Sequence, residues 1–336
     1  MIAGEYKPNE SNVRQEVKVP RLTLLLGLIV LVALIAFVYF HVGDATRFVT
    51  LLKGAEPKWL VLIVGLQVMT YLSVGLIWLE VTHDAGYEVS LNALARMSVE
   101  KLSIDQLIPA LGLSGNLIVY RTMKRLKLPQ RLAMEAILIN ILAHYIAFAF
   151  VTISAMLALW YQHDITRIIL ILVGVFALIL VAVPLVILRL VSNKDKKLPA
   201  WLLRFKPLAK ANEVIKSVTK EQLYSPKLLI IASLFNLLIF LLDSGSLWAA
   251  LQSIGISVNF ITAFIALVMA SIAATLSALP GGLGGFEAGS VAMLTLMDVP
   301  IEAALTGTII LRGFTLWLPL LPGLYFARKD VIMKLK

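Results

Sequence analysis

Cysteine is absent from all 336 residues, which removes a disulfide framework, a thiolate metal centre and a cysteine nucleophile together. Histidine is scarce: His41, His83, His144 and His163 are scattered without ligand spacing, so nothing calls for a metal. Charge is scarce too, at 15% of residues, while 60% are hydrophobic and the mean hydropathy is +0.89. Those proportions exclude a soluble domain and point to an all-α, polytopic integral membrane protein. No Walker-type lysine motif is present, and no cofactor is implied. The formal charge of +10 sits between apolar runs rather than along one soluble face. It therefore reads as membrane orientation and not as nucleic-acid binding.

What is present divides into about six spans and two broken stretches. A polar tail (1–20) precedes a single transmembrane domain (21–330) and a second tail (331–336). Spans are expected at about Leu22–Val42, Trp59–Val81, Leu132–Trp160, Ile168–Val191, Leu228–Leu251 and Ile301–Ala327. The connection Ser192–Lys227 carries nine lysines and arginines against three acids, so it belongs inside, and both termini with it. Leu208, Ala211, Ile215 and Val218 recur there at helical spacing. The loop is either a basic amphipathic helix on an anionic lipid surface or a solvated topology signal.

The centre of the chain is Ser277-Ala278-Leu279-Pro280-Gly281-Gly282-Leu283-Gly284-Gly285-Phe286-Glu287. A regular helix cannot run through it, because proline removes a donor and each glycine costs about 1 kcal/mol against alanine. Irregular backbone at membrane depth survives only where protein or a polar cavity surrounds it. A weaker version lies at Leu107-Ile108-Pro109-Ala110-Leu111-Gly112, and the next prolines keep one spacing (129 − 109 = 300 − 280 = 20). The unit of span, broken pair and Pro-initiated span thus occurs twice, at about 58–160 and 228–327, joined by 168–191 and 192–227. Loop charges give the two units opposite orientation, and each broken pair is read as a re-entrant hairpin, with two full crossings as the alternative that leaves the loop charges on the same faces. Inverted repeats with discontinuous helices point to a transport site near midplane.

Several residues are candidates for that site. Arg312 sits mid-span and needs a partner, with Glu287 favoured. Together they either form a structural ion pair or leave the guanidinium free to hold a phosphate in a fork. Asp243 is either a proton-coupling group or a second partner for Arg312. Gly281, Gly282, Gly284 and Gly285 either expose amides to an anion at a half-helix start or allow close packing. Arg121, near Glu100, Lys101 and Asp105, is an interfacial anchor or a headgroup contact, and His144 reads as a packing residue.

These motifs resemble the family that contains the transmembrane flippase region of lysylphosphatidylglycerol synthases, also called multiple peptide resistance factor. The late signature is similar to Pro280-Gly281-Gly282-Leu283-Gly284-Gly285-Phe286-Glu287 with Arg312 before Trp317 and Pro319. The early one is matched in part by Pro109, Gly112 and Arg121, with Leu113-Ser114-Gly115-Asn116 where the family usually shows Gly-Glu. The resemblance implies a stand-alone lipid translocator, not an enzyme, without the aminoacyl-transferase domain, in a prokaryotic plasma membrane. Its substrate would be a phospholipid or other anionic amphiphile. A secondary transporter of a small anion and a membrane enzyme acting on a lipid-linked substrate remain the rival readings. The lipid, direction and coupling ion are open, as is a homo-oligomer.

Overall fold

The computed structural model describes residues 50, 53–107, 113–162, 166–192, 225–277 and 279–317. All belong to Val42–Lys336, the larger of the two units into which the chain divides. The expected first span, both tails, residues 193–224 of the basic connection, Pro109, Gly112 and everything after 317 lie outside the described residues. Among the described residues there are nine α-helices and no strand, as an all-α polytopic membrane protein requires. They are α1 Pro57–Asp84, α2 Leu91–Leu107, α3 Leu113–Arg125, α4 Gln130–Gln162, α5 Arg167–Ser192, α6 Pro226–Ser253, α7 Phe260–Ser277, α8 Gly285–Leu296 and α9 Ile301–Arg312. Five of them, α1, α4, α5, α6 and α7, are long and apolar enough to cross a membrane. The last expected span begins as α9 and continues into a π-helical turn, Gly313–Trp317.

The helices start and stop where local chemistry dictates. α1 and α6 are 28 residues each and both open on a proline, Pro57 and Pro226, whose missing donor costs nothing in a first turn. At about 1.5 Å per residue each is roughly 42 Å long, more than the hydrocarbon thickness. Both end in the same turn 169 residues apart (255 − 86 = 169), with Gly86 at φ 80° and Gly255 at φ 79°. The N–H of Tyr87 reaches Thr82 O as that of Ile256 reaches Leu251 O. Further on, Lys127 (φ 60°) and Asp298 (φ 64°) close α3 and α8 at a spacing of 171 (298 − 127 = 171). In both turns the following residue, Leu128 or Val299, donates back to Met123 or Leu294. The recurrence therefore extends from proline positions to backbone conformation.

α1 and α6 lie side by side and antiparallel over their whole length. At one end Glu56 N–H donates to Ser253 O and Trp59 meets Trp248 edge-on at 5.2 Å. At the other, Lys227 is 3.6 Å from Glu80 and 3.4 Å from Asp84. Around them the core falls into two clusters. One joins the second halves of α4 and α6 to α7, α8 and α9; the other joins the first halves of α4 and α6 and the end of α1 to α2 and α3. Each broken pair thus packs at its own end of the central helices. The two meet where α2 contacts the Pro280–Gly282 turn.

α5 stands apart from this core. Ile168, Ile171, Leu178 and Val181 are exposed, and among its described side chains only Ile169, Phe176 and Val191 are buried. Phe176 meets Phe148 of α4 at 4.6 Å between ring centroids. An apolar helix anchored by one seam has the surface expected of a lipid-facing helix.

Candidate functional site

The elbow between α7 and α8 is built by glycine. Pro280 opens a 3₁₀ turn, in which Gly281 and Gly282 take φ of 57° and 65°, and Gly284 follows at φ 80°. A left-handed backbone costs other residues about 1–2 kcal/mol each, so three such positions in seven residues require glycine. α8 then returns against α7. A Cβ added at Gly285 would lie 2.7 Å from the Ser277 Cβ, and one at Gly289 would lie 2.7 Å from the Ala273 Cβ. These glycines let the two backbones touch.

Arg312, at the end of α9, reaches into this elbow. Its Nε donates to Glu287 Oε1 at 2.7 Å, and its Nη2 donates to the Gly281 carbonyl at 2.6 Å. The guanidinium carbon sits 4.9 Å from the centre of the Phe286 ring. Glu287 Oε2 accepts the N–H of Gly284 at 2.7 Å, so the carboxylate caps α8 while neutralising the arginine. The pair is largely buried, with side-chain exposures of 11% for Arg312 and 18% for Glu287. Nη1 has no partner among the described residues. Alongside, Ser290 and Thr308 share a hydrogen bond of 2.8 Å that holds α8 against α9.

The structure thus brings Arg312, Glu287, Gly281 and Gly284 together. The anion-attracting end of α8 is occupied by Glu287, and the Gly282 N–H is engaged with Leu279 O. Asp243 is not a partner of Arg312: its Oδ1 accepts from Gln67 Nε2 at 3.0 Å and Thr70 Oγ1 at 3.3 Å, both on α1. Arg121 is exposed on α3 and takes no part in the Arg312 network. His144 lies between aromatic rings, stacked on Phe240 at 5.7 Å, and its Nδ1 is 3.3 Å from Asn236 Oδ1. Asn236 in turn donates to Asn140.

Three features escape sequence reasoning. The Gly281 carbonyl as an acceptor depends on a backbone angle. Phe286 beneath the guanidinium has no signal beyond adjacency to Glu287. Gln67 and Thr70 are signalled only by being polar in the middle of an apolar span.

A match in sequence now settles the kinship. The family model for the lysylphosphatidylglycerol synthase TM region covers residues 24–323. The chain belongs to that family. The matched stretch takes in every element above, including both broken pairs and the Arg312 elbow. No individual curated protein matches the chain. Membership makes this an integral membrane protein of a lipid-related membrane region, in keeping with its five membrane-length helices.

Proposed function

We propose that the protein moves a phospholipid, or another anionic amphiphile, between membrane leaflets. The observation that carries the reading is the state of Arg312. A guanidinium presents five donors in a fixed fork suited to phosphate. Here two of its nitrogens are held by Glu287 and Gly281, while Nη1 is uncommitted among the described residues. A cation held in place at low dielectric, with donors to spare, fits a headgroup phosphate passing through the membrane.

The broken pairs are read as re-entrant hairpins meeting near midplane. Their packing at opposite ends of α1, α4 and α6, and the contact between α2 and the Pro280–Gly282 turn, support this. Rocking one half against the other along the antiparallel α1/α6 seam would then expose the elbow to each leaflet in turn. On this reading the protein is a carrier and performs no covalent chemistry. It sits in a prokaryotic plasma membrane with its termini and basic loop on the cytoplasmic, anionic surface.

The test is reconstitution into liposomes containing fluorescent lipids of different headgroups, with Arg312→Ala and Arg312→Lys compared at matched folded amounts. Translocation should fall at least tenfold in Arg312→Ala and be only partly kept by lysine, which lacks the planar fork. Equal rates in all three would remove the assignment. A wild type that moves a soluble anion but no lipid would establish the small-anion reading instead.

A further inference from the structure

The membrane part contains a second deep acid, and its surroundings differ in kind from those of Glu287. Asp243 lies within the membrane-crossing helix α6, opposite Thr70 at the middle of α1. Its Oδ1 takes both donors, from Gln67 and Thr70, and Gln67 also donates to Ser246 at 3.1 Å. Among the described residues the other oxygen, Oδ2, has no donor, and Asp243 forms no ion pair.

Among the described residues, the elements packed against α6 bring no countercharge to Asp243. α1 contributes Tyr71, the only titratable group on α1 in electrostatic reach of the carboxylate, beside uncharged Gln67 and Thr70. α4 contributes His144, which is engaged with Asn236 two turns away along α6. α7 carries no titratable side chain. α9 carries Glu302 near its start and Arg312 at its end, and Arg312 is bound to Glu287 and Gly281. A carboxylate held in a membrane without a cation is costly unless it can be neutralised by something that comes and goes.

We propose that Asp243 is a reversible proton-binding site at the seam between the two inverted halves. A proton from water forms an O–H bond at Oδ2, converting carboxylate to neutral acid, and no protein bond is broken. Asp243 is only partly buried as a whole residue, and Oδ2 is its oxygen without a donor among the described residues. In the ionised form the bonds from Gln67 and Thr70 are charge-assisted and hold α1 to α6. In the neutral form they weaken, and the seam along which the halves would rock is loosened. Proton binding stands on this geometry alone; only its coupling to movement rests on the translocation reading.

Infrared difference spectroscopy of the reconstituted protein between acid and alkaline buffer tests it. The wild type should show the carbonyl stretch of a protonated carboxylic acid that disappears as pH rises. Asp243→Asn should lose that band, Glu287→Gln should keep it, and Asp243→Glu should keep it at a shifted frequency. If Asp243→Asn fails to fold, the shift in Asp243→Glu decides alone. No such band in wild type, a band unmoved by Asp243→Glu, or one lost in Glu287→Gln that is shown to be folded would overturn the proposal. Lipid translocation in the same liposomes is read separately: pH-dependent rates in wild type should become flat in Asp243→Asn. A titrating Asp243 band without any lipid movement would leave the proton site standing and sink the translocation reading.

Discussion

Glu287 holds two ends of the site at once: Oε1 pairs with Arg312 Nε at 2.7 Å, and Oε2 accepts the Gly284 N–H at 2.7 Å. One carboxylate therefore serves as counterion and helix cap, in a place where neither job can be left undone. Removing it leaves a mostly buried guanidinium beside an uncapped helix start.

Glu287→Gln should accordingly destabilise the protein by about 3 kcal/mol, since breaking a buried pair from one side leaves the other charge uncompensated. Glu287→Gln combined with Arg312→Met removes both charges and should recover part of that loss. Thermal unfolding in detergent reads the difference. A double variant less stable than Glu287→Gln alone would mean that the arginine stabilises the fold through contacts other than this pair.

The close approach of α7 and α8 gives a second expectation. Gly289→Ala places a Cβ 2.7 Å from the Ala273 Cβ and 3.1 Å from the Ala270 Cα, where little can yield. It should cost about 1–3 kcal/mol, as overpacking does. Gly174→Ala on α5 meets nothing within 4 Å and, inside a helix, should stabilise by up to about 1 kcal/mol. Equal melting temperatures for the two variants would show that the α7–α8 contact is looser than these distances imply.

The Asn140–Asn236–His144 chain links α4 to α6 through the core. Asn236→Leu leaves both partners unmet and should cost about 1 kcal/mol, near the average for hydrogen bonds inside membranes. A stability change within error would assign the holding of α4 against α6 to the ring contact of Phe148 with Phe240, 4.9 Å between centroids.

How much of this was legible beforehand follows from which forces act locally. Apolar runs, Pro57 and Pro226 announce helices directly, and the observed ends of α1 and α6 lie two to three residues outside the expected spans (59–81 and 228–251 against 57–84 and 226–253). The Pro280–Glu287 break is equally readable, because no helix tolerates that composition. The Arg312–Glu287 pair followed from the cost of lone charges in a membrane. The partner of Asp243 did not, because Gln67 and Thr70 are 176 and 173 residues away and reach it only through the antiparallel packing of α1 on α6. Gly86 and Gly255 share a turn that single residues in unlike surroundings do not advertise (Ala85-Gly86-Tyr87 against Ile254-Gly255-Ile256).

The absence of cysteine makes the depth of the elbow directly measurable. If α7 and α8 were two full crossings, their elbow would emerge on the face opposite the turn 254–259, the face that carries Asp84 and Lys227. If they form a re-entrant hairpin, the elbow stops inside the membrane. Single cysteines at Lys227 and Leu283 therefore separate the two cases, using an impermeant maleimide applied to each side of sealed vesicles. Lys227→Cys should label fully from its own face. Leu283→Cys should label slowly, and not preferentially from that face, because it lies at a half-buried turn packed against α2 and α7. Labelling of both positions at similar rates from the Lys227 face would replace the hairpin by two spans and take Arg312 out of the membrane interior.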